Sequence, residues 1–324
     1  MEFSSGSRIY FTGRYRCIMK EKELIEIIKS TLNSEYIGDD CAYIKDLGIV
    51  ITQDSLVEDV HFSLKYTNAY QLGWKSVIVN LSDVCASGAE PKYLTIALSL
   101  PEYINENFVK NFYKGAQDAA GKVKIVGGDI TGSKKLFVSV TAIGKTESRN
   151  ISSRANAKIG YKIIVSGEHG NSAYGYNLLN KIALDTNIDN NEKQFFINSH
   201  LMPSAQFQFS EEIAINCVAE YAMMDTSDGL ADALMQIAKA SKATLSVSTS
   251  KIPKNKHVNT DTALYGGEDY QLVACVPESI LTKLSKYFII GEVKTGKSGI
   301  ELDGNFLYDI DDKLFNHFEV KNEI

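Results

Sequence analysis

The chain has 324 residues, beyond the size at which a single hydrophobic core usually stops growing, so two domains are expected. Its 44% hydrophobic content is that of a globular protein, and 34 basic against 40 acidic side chains leave a net charge of −6, which argues against a nucleic-acid-binding surface. No apolar run approaches the roughly 20 residues of a membrane span, so no membrane insertion is expected.

Residues 1–18, MEFSSGSRIYFTGRYRCI, lack the apolar centre of a secretion signal and carry no helical or strand period. They are expected to be a non-native leader outside the fold. From Met19 onward the pattern is regular. Leu24, Ile25, Ile27 and Ile28 share one side of a docking helix that ends near Leu32. IGDDCAYI and GIVITQDSLVEDVHF then predict two short strands that deliver Asp39, Asp40 and Asp54 at their ends. Between Tyr70 and Ala89, Leu72, Val77, Leu81 and Val84 recur at helical spacing, which puts Asp83 on a helix or at its end. LTIALSL reads as a buried strand closed by Pro101, residues 105–120 as a second helix, and KIVGGD and LFVSVTAIG as two further strands. This alternation predicts an α/β domain over residues 19–150.

Composition turns polar over residues 149–160, where a domain boundary is expected, and a second domain is assigned to 151–324. YKIIVSG opens it as a strand, followed by a helix over 173–184, a polar stretch over 185–193 and a helix over 205–220. In DTSDGLADALMQIAKAS, Leu230, Leu234, Ile237 and Ala238 form an apolar stripe with Asp228 and Gly229 at the helix entrance. TLSVST, YQLVACV, YFIIGEV and GIELDG are the remaining expected strands.

Acids beside Gly, Ser or Thr recur along this frame: GDD ending at Asp40, TQD at Asp54, NLSD at Asp83, GGD at Asp129, DTSDG from Asp225 and GGED from Gly266. One such motif alone is a turn or a helix cap, because Asp accepts from nearby backbone N–H groups. Their repetition at strand ends and helix entrances points to one polyanion site, with oxygen ligands for Mg²⁺ and glycines that admit phosphate to the backbone. Asp225 and Asp228, three apart with a hydroxyl between them, can hold metal and meet a nucleotide together. Residues 291–298, GEVKTGKS, satisfy the Walker A pattern letter by letter, but Gly299 and a strand-like run follow where a phosphate-binding helix is required. They are read as a turn. Histidines 61, 169, 200, 257 and 317 are scattered without metal-ligand spacing, and Tyr270 is read as core. The five cysteines form no C-x-x-C pair, which fits a reduced, cytoplasmic compartment.

Together these motifs resemble those of thiamine-monophosphate kinases, of the superfamily that also holds aminoimidazole ribonucleotide synthetase and selenophosphate synthetase. The resemblance runs from Met19 to the C-terminus through GDDCA, TQDSLVEDVHF, NLSDVCASGAEP, GGDITGS, SRANAKIG, DTSDGL, GGEDYQL, IIGEV and FNHF. It implies an N-terminal α/β domain whose sheets join across a homodimer and an α+β C-terminal domain. It also implies ATP-dependent, Mg²⁺-requiring phosphorylation of thiamine monophosphate to thiamine diphosphate. On this resemblance Asp40, Thr52, Gln53, Asp54, Asp83, Asp129, Asp225 and Asp228 bind several Mg²⁺ ions, with Asp83, Asp225 and Asp228 central to catalysis. Gly128, Asp129, Arg154 and Ser227 meet ATP, and His61, Glu268 and Phe315 meet thiamine monophosphate. The chain departs from the family pattern with Gln53 for Thr, Asp59 for Gly, Ser87 for Met and Ile130 for Thr. The rival readings are an ATP-dependent carbon–nitrogen ligase of the same superfamily and a non-catalytic nucleotide-binding regulatory module.

Overall fold

In the computed structural model, which describes residues 21–182 and 188–314, strands and helices alternate through the first half of the chain. Helix α1 (Glu21–Leu32) is followed by strands β1 (Ala42–Ile44) and β2 (Ile49–Val57), helix α2 (Ala69–Ser87) and strand β3 (Glu90–Leu100). Helix α3 (Glu106–Ala120) and strands β4 (Lys124–Gly132) and β5 (Phe137–Lys145) complete this half. Residues 36–315 form one compact unit, of which α1 is not part. The proposed leader, residues 1–18, lies outside the described residues.

The first five strands make one sheet in the order β1-β2-β5-β3-β4, with β3–β4 parallel and the other pairs antiparallel. Strand alternation turns Val50, Leu56, Leu94, Ile96, Leu98, Val138 and Val140 to one face, where they bury against Leu72, Val77, Leu81 and Val84 of α2. Asn68 starts α2 with a capping box: its side chain accepts from the Gln71 N–H while the Gln71 side chain accepts from the Asn68 N–H. Helices α2 and α3 lie unusually close. A Cβ at Gly73 would strike the Phe112 carbonyl, and one at Gly115 would strike that of Tyr70.

The second half supplies β6 (Lys162–Val165), α4 (Asn171–Leu179), α5 (Asn190–Leu201), α6 (Phe207–Asn216), β7 (Ala222–Asp225) and α7 (Leu230–Ser241). It continues with β8 (Thr244–Val247), α8 (Thr260–Tyr265), β9 (Leu272–Val276), β10 (Phe288–Lys294), β11 (Gly299–Leu302) and β12 (Asn305–Leu307). These strands form a second sheet ordered β12-β11-β8-β10-β6-β9-β7, antiparallel except where β8 meets β11. Its main core gathers Ile163, Val165, Leu230, Leu234, Ile237, Leu245 and Val273. A further cluster joins Cys85 and Ala86 from the end of α2 to Ile164, Ile213, Tyr221 and Leu272. One helix therefore packs on both halves.

Several elements differ from the sequence expectation: α4 ends at Leu179, not 184, Asp54 lies within β2 and not at its end, and α8 and β12 had no counterpart in it. The polar stretch expected to reach Lys193 gives way to α5 from Asn190; Asp189 caps it, and a Cβ at Gly175 of α4 would strike the Phe196 carbonyl. The helix expected to run to Glu220 stops at Asn216, because Asn150 Nδ2 takes the Cys217 and Ala219 carbonyls. Strand β7, four buried residues that end on Asp225, was not foreseen, since so short an apolar run has no readable period.

Candidate active site

The segment Asn80–Asp83 of α2 ties the acid-bearing strands together. Asn80 is fully buried; its Oδ1 accepts from the Asp54 N–H on β2 at 2.9 Å and its Nδ2 donates to the Ser76 carbonyl. Ser82 Oγ donates to Asp225 Oδ2 at 2.7 Å, holding the end of β7. Asp83 Oδ2 accepts from Thr52 Oγ1 at 2.7 Å. With Asp40 arriving just before β1, carboxylate oxygens of Asp40, Asp83 and Asp225 all fall within 4.8 Å of one another.

Burial raises the pKa of Asp83 well above the carboxylate range, and repulsion from Asp54, Asp225 and Asp40 adds to it. Burial and the Asp40 charge likewise push Asp225 up to about 7, against hydrogen bonds from Ser82 and Ser227. Asp40 is raised too, by burial, although Arg154 opposes the shift. Three such groups cannot all ionise in so small a buried space without a cation. The donor set is hard oxygen only, with the Thr52 hydroxyl beside it, which fits Mg²⁺.

Arg154 sits on the flank of this group. Its guanidinium meets both Asp40 oxygens, at 3.0 and 3.4 Å, and donates to Gln236 Oε1 at 2.6 Å, while its N–H donates to Asp39 Oδ1. Ser227 Oγ donates to Asp225 Oδ1 at 2.9 Å, and Asp228 is exposed at the entrance of α7.

Other expected residues stand apart from the triad. The Gln53 side chain points to the opposite face of the sheet, where its Oε1 accepts from Thr141 Oγ1 at 3.0 Å. Asp129 lies on the edge strand β4 opposite Ala97, separated from β2 by β3 and β5. That is about 14 Å at ordinary strand spacing. Gly128 is needed by the sheet itself, since a Cβ there would strike the Ile96 carbonyl. Phe315 lies outside the described residues.

A second polar cluster lies around Glu268. Glu268 Oε1 meets Lys75 Nζ at 2.9 Å and Oε2 meets His200 Nδ1 at 3.2 Å; His200 Nδ1 is also 3.1 Å from Ser172 Oγ. Burial alone would raise the Glu268 pKa, but Lys75, His200 and His61 hold it below its ordinary value. Burial and the nearby Lys75 charge push His200 down to about 4, so it is neutral near pH 7. The Val57 N–H donates to His61 Nδ1 at 3.0 Å, which leaves the imidazole proton on Nε2. Rings of Tyr176 and Tyr66 stand 5.4 and 6.5 Å from that of His200. The two clusters are linked by main chain, because the Glu268 N–H donates to the Ser227 carbonyl at 2.6 Å. Tyr270 is buried in the first-half core, as its sequence context predicts.

Lys75, His200, Tyr66 and Tyr176 were not singled out from the sequence. The available signal was Lys75, a cation inside the aliphatic run GWKSVIV. A shallow cavity of about 590 Å³ on the second sheet lies elsewhere, lined by Lys162, Lys294, Glu292 and Glu301. Its charges satisfy each other, Lys162 with Glu292 at 2.7 Å and Lys294 with Glu301 at 2.9 Å.

Comparison with known proteins places this geometry among relatives. Residues 38–146 match the family model for the N-terminal domain of AIR synthase related proteins. The chain is 33% identical over 313 residues to the thiamine-monophosphate kinase of Aquifex aeolicus, covering 91% of this chain and 97% of that protein. It is 35% identical over 254 residues to the thiamine-monophosphate kinase of Bacillus subtilis, covering 74% and 77% respectively. A solved structure described as AaThiL complexed with AMPPCP and TMP superposes with a TM-score of 0.84 at 33% identity, covering 95% of this chain and all of that one.

Proposed function

The chain belongs to the thiamine-monophosphate kinase family, and from that membership we propose that it transfers the γ-phosphoryl group of ATP to the phosphate of thiamine monophosphate, giving thiamine diphosphate and ADP. Its architecture is that of the AIR synthase related proteins, an α/β N-terminal part followed by an α+β part. The observation that carries the reading is the convergence of Asp40, Asp83 and Asp225 beside the loop that bears Glu268.

The acceptor is itself a phosphate oxygen, an anion that needs no strong base. Accordingly the work left to the protein is positioning and charge neutralisation. Asp40, Asp83 and Asp225 would hold Mg²⁺, with Thr52 and Asp54 adjoining and Asp129 and Asp228 as further proposed ligands, whereas Gln53, expected among them, faces Thr141 on the other side of the sheet. When bound, Mg²⁺ offsets phosphate charge as the phosphoryl group moves. Asp83, Asp225 and Asp228 are the proposed catalytic carboxylates. Gly128, Asp129, Arg154 and Ser227 are proposed to meet ATP, Arg154 by offering phosphate the guanidinium that now faces Asp40. His61 would donate from Nε2 to the phosphate of thiamine monophosphate, and Glu268, with Phe315, would meet its thiamine part.

The homodimer is proposed on the edge strand β4, where Val126 and Ile130 are 57% and 64% exposed beside unpaired backbone groups. The domain boundary is proposed near residue 150 because each sheet draws on one side of it. Four buried free cysteines support a reduced, cytoplasmic setting, and no helix among the described residues is long and apolar enough to cross a membrane.

Incubation with ATP, Mg²⁺ and thiamine monophosphate tests the reading. Thiamine diphosphate is the expected product. A carbon–nitrogen ligase would not react at all without its own further substrate, and a regulatory module would bind ATP without turnover; either outcome sinks the kinase reading.

A further inference from the structure

We propose that Lys75 is a positioning residue for the substrate, holding the Glu268 carboxylate aimed at the thiamine part of thiamine monophosphate without touching the ligand. The proposal rests on the reading of Glu268 as a substrate-binding group. Lys75 lies within α2 and its side chain is 2% exposed, whereas that of Glu268 is 30% exposed. The ammonium is therefore beneath the carboxylate, on the protein side, and the carboxylate faces outward.

One Glu268 oxygen is held by Lys75 at 2.9 Å and the other lies 3.2 Å from His200 Nδ1. A carboxylate offers about four acceptor positions, so two fixed contacts leave outward lone pairs in a set direction. The main chain is fixed as well. Glu268 has a φ of +64°, in the left-handed region, and its N–H is anchored on the Ser227 carbonyl at 2.6 Å. Side chain and backbone thus tie the acid from opposite ends, to α2 and to the loop that follows Asp225. His200 is neutral near pH 7, and the Lys75 ammonium, which also hydrogen-bonds the carboxylate, is the main influence holding the Glu268 pKa down, opposite the thiazolium cation. A lysine buried away from water is costly unless paired, and Glu268 is the partner observed.

A purely structural strut between α2 and the Glu268 loop would move stability and both substrates alike, whereas a positioning role moves one substrate. The experiment measures KM for thiamine monophosphate and for ATP, with thermal melting, in whole-chain Lys75→Met, Lys75→Arg, Glu268→Gln and the combined Lys75→Met, Glu268→Gln variant. Lys75→Met is expected to raise KM for thiamine monophosphate by about tenfold or more and to leave that for ATP within about twofold. Lys75→Arg should recover most of the loss. The combined variant removes both charges of the pair and keeps the question answerable even if Lys75→Met fails to fold. Its KM should match that of Glu268→Gln alone, because Lys75 then has nothing left to position. An unchanged KM in folded Lys75→Met, equal rises for both substrates, or a combined variant about tenfold worse than Glu268→Gln overturns the proposal. Absence of thiamine monophosphate turnover in the unaltered protein would instead remove the functional reading beneath it.

Discussion

Among individual residues, the acids of the site are held at the expense of one another. Asp225 has its pKa raised to about 7 by burial and by Asp40, so its contribution to stability is complete below the ordinary aspartate pKa and is lost as pH rises through about 7. Metal-free Asp225→Asn protein should therefore melt above the unaltered protein near pH 8, by about 2 °C or more, with the gap closing toward pH 5. Thermal scans in chelator across that range check this; a gap that widens toward pH 5 would contradict it. Asp40, Asp83 and Asp225 were legible in the sequence because each belongs to a short motif with Gly, Ser or Thr, Asp40 just before β1, Asp225 at the end of β7 and Asp83 near the end of α2. Gln53 shows the limit of that reading: its neighbours Thr52 and Asp54 turn inward, and the alternation of the strand turns Gln53 outward to Thr141. Lys75 and His200 escaped because their partner, Glu268, lies far along the chain and only folding brings it near.

At the scale of elements, strong periodicity made α2, α3, α7 and most strands readable, while α5 and β7 depended on tertiary contacts. Helix α5 buries only Phe196, His200 and Leu201, too few to stamp a pattern on a polar sequence. The Walker-like segment is the end of β10 and the turn that joins it to β11, with no helix after it, and Lys297 Nζ bonds the Tyr308 hydroxyl at 2.9 Å. Lys297→Ala should leave turnover and the KM for ATP within about twofold of the unaltered protein, since a phosphate-cradling lysine needs a helix N-terminus behind it. Collapse of ATP-dependent turnover in a folded variant would restore the P-loop reading. Strand β4 carries the other element-level expectation. Ile130→Glu on its exposed edge should convert a dimer to a monomer by light scattering, and a dimer that persists unchanged would place the interface elsewhere.

Across the whole molecule, α2 is the shared member: its flank covers the first sheet, its end packs against Ile164 and Tyr221, Asn80 and Asp83 bond β2, and Ser82 bonds β7. The α/β character of the first half was legible from its alternation of strands and helices, and the α+β second half came from the family resemblance. That one helix joins both sheets was not legible, because Ser82 and Asp225 are 143 residues apart and their hydrogen bond leaves no local trace. The most direct test is Asp83→Asn, followed by phosphorus NMR of ATP and thiamine monophosphate with Mg²⁺ and by circular dichroism for the fold. Thiamine diphosphate should form with the unaltered protein and at least about a hundredfold more slowly with the variant, whose spectrum stays native. A folded variant that turns over within about tenfold of the unaltered protein, a difference of ~1.4 kcal/mol in the barrier, would show that the acids gathered on α2 are not the centre of the reaction.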